Sequence, residues 1–222
     1  LGLGVGLLGR NHEMPFLAVL GFGGGLLHVL NHSLFKGLLF LSAGAVIQRT
    51  HTGDMDRLGG VARVMPGTGM LFLVGAWSIC GLPVFNGFIS EFIIFFALFQ
   101  GLFALPLYGA VFCAAGILAL ALMGALALAC FTKVYGTVFC GEPRESLPVE
   151  EKPERKELSS WMLVPMLVLA ARCLWIGLAP YTIAQAAFAG GAYAMRGVLG
   201  AMDLEKVFMP LSMVVGAAGV FL

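Results

Sequence analysis

Charge is scarce in this sequence. Of its 222 residues, 13 are Lys or Arg and 12 are Asp or Glu, together 11%, where soluble domains carry about 25%. A net charge of +1 supplies neither the basic patch that nucleic acid requires nor an acidic excess. Cysteine is sparse and scattered: Cys80, Cys113, Cys130, Cys140 and Cys173 form no C-x-x-C pair and keep no company with histidine. That excludes a zinc ribbon or a thioredoxin-type centre and leaves small buried apolar residues. There is no Gly-rich phosphate loop, no nucleophile elbow and no acid pair for hydrolysis. His28 and His32 stand at i and i+4, but no Glu follows His28 and no third ligand is evident. Two rings stacked on one helix face cannot both be axial ligands of one haem. No metal, cofactor or nucleic acid is therefore expected, and no covalent chemistry by the chain itself. It opens on Leu1, without Met or a basic leader, within an apolar segment too short to span, and so reads as a piece of a longer protein.

What the sequence has in abundance is apolar text. Hydrophobic residues make up 59% and mean hydropathy is +0.95, values of an integral membrane protein. The expected fold is an all-α, polytopic transmembrane helical bundle, forming a single membrane domain over residues 1–222. Residues 1–9 read as a helix end, 10–13 as a polar turn, and Pro15 as the first turn of a helix running to about Ile47. That run exceeds the ~20 residues needed to cross, so its glycine-rich start, Gly21 to Gly25, is expected at the interface or at a kink. Residues 48–65 read as a loop, and 70–80 as a span. Gly81-Leu82-Pro83 interrupts it, and the apolar text that resumes carries Asn86, Gly87, Ser90 and Glu91, the mark of a discontinuous helix. Residues 111–139 form another span. Residues 141–159, with three prolines and ten charges, are the natural extramembrane loop, and 160–222 the C-terminal transmembrane helices. Three crossings then separate the two loops and place them on opposite sides. With three basic residues in one and four in the other, the positive-inside rule does not orient them.

Against this background a few polar groups stand out. His28, His32 and Lys36 recur every four residues, advancing about 40° and 6 Å per step, so they form one slanting ridge on a helix. A single intramembrane His is as readily a hydrogen-bonded core residue. Three ionisable groups in a row, with Lys36 mid-span, fit a proton path better, because such groups are costly in lipid and are functional by default. Glu91 beside a broken helix either pairs with a cation and pins the fold or serves an ion gate. Lys133 lies near the end of its span, where conducting and snorkelling roles are equally open.

Three stretches jointly resemble a known family: His28-x3-His32-x3-Lys36-x2-Leu39-Phe40-Leu41, Thr52-Gly53-Asp54-x-Asp56-Arg57-Leu58-Gly59-Gly60, and Gly81-Leu82-Pro83-x2-Asn86-Gly87-Phe88-x2-Glu91-Phe92. They are similar to the antiporter-like, proton-conducting subunits of respiratory complex I, multisubunit cation/proton antiporters and membrane-bound hydrogenases. Glu91 and the ending Cys130-Phe131-x-Lys133-x-Tyr135-Gly136 most resemble the hydrogenase-4 and formate hydrogenlyase branch. The resemblance implies two inverted five-helix repeats, each with one broken helix, of which residues 1–140 form the second. The first, with its own glutamate and lysine, would lie outside this sequence. By motif position Lys36 would be the central lysine, His28 and His32 its relays, and Glu91 the terminal residue, a position where some complex I members carry lysine. The implied setting is the cytoplasmic membrane, beside other membrane subunits and a peripheral redox arm bearing metal clusters, with protons, or sodium, as the ion moved. A sodium/proton antiporter subunit and a non-conducting scaffold are the alternatives.

Overall fold

The computed structural model describes residues 1–142, 144 and 160–194, and the expected loop at 141–159 and the chain beyond 194 fall largely outside them. The described residues form eight helices: α1 Gly2–Asn11, α2 Pro15–Thr50, α3 Val61–Val64, α4 Pro66–Ile79, α5 Asn86–Ala104, α6 Leu107–Val138, α7 Ser160–Leu178 and α8 Tyr181–Ala194. Four of them are long and apolar enough to cross a membrane.

The bundle is assembled around α2. Pro15 at its first turn has no N–H to leave unpaired, and the helix stops at His51, a left-handed cap whose N–H returns to Ile47 O. Its 36 residues reach about 54 Å, well past the ~30 Å hydrocarbon core. Gly21 to Gly25 lie within one continuous helix, where Gly21 and Gly25 face the backbone of α1, Gly23 the ring of Phe188 on α8, and Gly24 Ile93 and Ile94 of α5. A methyl on Gly21 would strike the backbone of Gly6, and one on Gly9 would lie 2.5 Å from Ala18 N. Small residues permit this close approach, as helices in lipid require.

The helices α4 and α5 lie end to end along α2 and antiparallel to it. Gly75 of α4 packs on Leu38 and Leu39, Asn86 of α5 on Asn31, and Ile93 and Ile94 on Gly24. They form one discontinuous pass, interrupted at residues 80–85, where Gly81 (φ 64°) and Val84 (φ 77°) turn the backbone. A β-branched residue in the left-handed region is strained, by roughly 1–2 kcal/mol. Val84 is held there by α7, whose Gly177 lies directly against its carbonyl. The antiparallel α6 then returns beside this pass, with Gly116 against Leu98, Cys113 against Gly101, and Phe139 against Phe72, whose ring centroids are 4.9 Å apart.

The expectation of opposite loops therefore fails. Only two passes, the interrupted α4–α5 and α6, separate the loops, so they meet on one side. Gly60 N donates to Cys140 O (2.9 Å), Ala62 N to Phe139 O (3.1 Å) and Arg144 Nη1 to Met55 O (3.2 Å). At 14 residues, α4 is too short to cross alone. Cysteines placed at Met55 and at Arg144, in a variant lacking Cys130 and Cys140, should both react with an impermeant maleimide from the same face of sealed vesicles. Labelling from opposite faces would refute this topology.

Candidate functional site

The ridge lies along the boundary between the buried and open faces of α2. On the buried side stand Leu27, Asn31, Phe35, Leu38 and Leu39; on the open side Val29, Ser33 and Phe40 are exposed. His28 is half-buried, His32 exposed and Lys36 half-buried. The two imidazoles are neighbours, with ring centroids 6.1 Å apart, and Phe35 meets His32 edge-on at 5.3 Å. The Lys36 ammonium lies 5.8 Å from the centre of the Phe40 ring, within the reach of a cation–π contact.

Opposite the ridge is the broken helix. Its first turn is fastened to α2 by a reciprocal pair: Asn31 Nδ2 donates to Asn86 O (2.7 Å) and Asn86 Nδ2 to Asn31 O (3.3 Å). Both residues are fully buried. Their Oδ1 atoms meet no hydrogen-bond donor among the described residues, so the seam carries two buried polar acceptors. One turn on, Ser90 Oγ lies 3.1 Å from His28 Nδ1. Glu91 follows immediately, half-buried, with a carboxylate oxygen resting where a side chain on Gly81 would have to be. Glycine is required at position 81 twice over, by its positive φ and by this carboxylate.

Of the five residues expected to act, His28 and His32 are side by side, Lys36 is the next turn of the same ridge, and Glu91 sits at the break on the helix that His28 contacts. Lys133 stands apart, exposed on α6. The sequence marks Asn86 and Ser90 only as part of the break and does not single out Asn31; nothing in it tells which residues they face. The one clue is spacing: Asn86 and Ser90 are at i and i+4 on α5, as His28 and His32 are on α2.

A multi-pass helical membrane protein whose discontinuous helix is fastened beside a ridge of ionisable groups has the build of an antiporter-like ion-conducting subunit. Residues 14–117, just under half of the chain, match the family described as NADH:quinone oxidoreductase/Mrp antiporter, TM. It is 43% identical to hydrogenase-4 component B of Escherichia coli K12 over 80% of this chain and 26% of that protein. With formate hydrogenlyase subunit 3 of the same organism it shares 40% identity over 80% of this chain and 28% of that one. The Na(+)/H(+) antiporter subunit A1 of Staphylococcus haemolyticus is 31% identical, over 88% and 24%. The chain thus spans about a quarter of the length of these relatives. The fold is also that of a chain in the Mrp complex from Dietzia sp. DQ12-45-1b, with a TM-score of 0.65 and 19% identity over 85% of this chain and 43% of that one.

Proposed function

We propose that this chain is the second repeat and C-terminal part of a proton-translocating subunit of a hydrogenase, formate hydrogenlyase or complex I-like assembly in the cytoplasmic membrane. Protons pass along His28, His32 and Lys36 and reach the break at Glu91, with Lys133 toward the loop end. The observation that carries this is the hydrogen bond between His28 and Ser90, which ties the ridge to the turn that bears Glu91. A change in the break's geometry is then felt at the ridge, and a change of charge on the ridge is felt at the break. Redox chemistry in partner subunits supplies the energy, about 2.3 kcal/mol for each charge moved against 100 mV. Two relatives that match over 80% of this chain, at 43% and 40% identity, are named hydrogenase-4 component B and formate hydrogenlyase subunit 3, which favours this coupling.

Likeness to antiporter subunits keeps a second reading open, in which sodium and proton fluxes are exchanged without a redox partner. The test is Glu91→Gln in the complete complex in sealed vesicles, which keeps size and hydrogen bonding but cannot ionise. Proton uptake driven by electron transfer should fall about tenfold or more, a barrier change of ~1.4 kcal/mol, while electron transfer to a soluble dye acceptor is unchanged. Undiminished proton uptake would refute the path. Proton flux that needs sodium but no electron donor would select the second reading.

A further inference from the structure

The hydroxyl of Ser90 has two neighbours at equal distance: Gly87 O at 3.1 Å and His28 Nδ1 at 3.1 Å. Serine has one hydrogen to donate and lone pairs to accept with. When Nδ1 carries a proton it donates to Oγ, and the serine hydrogen turns to Gly87 O. When Nδ1 is bare, the hydroxyl turns to it. Gly87 O tolerates the exchange, because in a helix it also accepts the N–H of Glu91. Nδ1 therefore keeps a partner in every protonation state of His28, at the cost of only a hydroxyl rotation.

The rest of the surroundings leave the other nitrogen to work. Ser90 is fully buried and cannot trade this bond for water. Phe35 stands edge-on to the ring of His28 at 6.5 Å, and the ring of His32 follows at 6.1 Å. His28 also lines a cavity of about 250 Å³ whose other walls include Leu3, Gly25, Ile94, Leu120 and Met123. Among the residues that line this cavity or stack on the ring, His32 is the other side chain that takes up protons.

Resting on the proton-path reading above, we propose that Ser90 is a positioning residue. It reserves Nδ1 of His28 and makes Nε2 the nitrogen that exchanges protons with His32. Removing the hydroxyl leaves Nδ1 without this partner and frees the ring to turn away from α5.

The experiment uses the complete complex in lipid, with ¹⁵N-labelled histidine and His28 assigned by its loss in His28→Gln. In the wild type the Nδ1 signal should show a hydrogen bond. In Ser90→Ala that signal should split or shift, and driven proton flux should fall about five- to tenfold, the effect of one lost hydrogen bond. Ser90→Thr, in preparations assembled like the wild type, should restore both to within about twofold of wild type. Nitrogen signals unchanged in Ser90→Ala, or a Thr variant no better than Ala, would overturn the role of Ser90 and leave the path standing. Wild-type flux in His28→Gln would instead overturn the path.

Discussion

Alanine in place of Lys36 in the complete complex should cut redox-linked proton translocation by about tenfold or more, with hydrogenase chemistry toward artificial electron acceptors nearly intact. Lys36 is the one Lys, Arg, Asp or Glu between Glu13 and Arg49, so no other such charge lies within three turns of it on α2. The informative companion is Lys36→Arg. A guanidinium keeps the positive charge and can keep the contact with Phe40, but it does not give up its proton at any pH a membrane survives. If Lys36 works by taking and releasing protons, the Arg variant should be as defective as the Ala variant. If it only supplies a fixed charge, Arg should restore pumping. Translocation sustained by the Ala variant would remove Lys36 from the path, and loss in Ala with rescue by Arg would demote it to an electrostatic support.

Much of this was legible in the sequence, for physical reasons that also mark where reading stops. Apolar run lengths placed α2, α6 and α7 because lipid demands uninterrupted hydrophobic text. The ridge was visible because charge is rare there. Gly81-Leu82-Pro83 announced a break, but the same residues could equally begin a hairpin. Whether the chain reverses or continues depends on contacts of Gly75, Asn86 and Ile93 along α2, more than ten residues apart and silent in local pattern. Hence three crossings were counted where two passes exist. Gly21 to Gly25 were only partly legible for a related reason: glycine in a membrane helix marks flexibility or a close neighbour alike, and α1, which Gly21 and Gly25 face, is too short a segment to announce itself. Ser90 and the Asn31–Asn86 pair escaped because a hydroxyl or amide gains its meaning from what faces it.

The same substitution should have opposite effects at two glycines, and the contrast isolates the seam of the broken helix. Gly87 is in the first turn of α5, and a methyl there would be driven into the carbonyl oxygen of Ser78, near the end of α4. That obstacle is backbone, with no side chain to swing aside. Gly87→Ala must therefore push the two half-helices apart, and Asn86 and Ser90, on the same turns, would draw away from Asn31 and His28. Overpacking of this kind costs about 1–3 kcal/mol, and weakening the hydrogen bonds adds ~1 kcal/mol for each. The unfolding midpoint of the purified complete subunit should drop by roughly 5–10 °C. Among the described residues, nothing lies within 4 Å of where a methyl on Gly136, on α6, would go. Gly136→Ala should leave the midpoint unchanged or raise it, since alanine favours a helix over glycine by about 0.5–1 kcal/mol. If the proposed path runs from the ridge to Glu91 across this seam, proton flux should follow the same division, lost in Gly87→Ala and kept in Gly136→Ala. A Gly87→Ala protein as stable and as active as the wild type would mean that α4 and α5 do not meet in this way, and the contact of His28 with Ser90 would lose the frame that holds it.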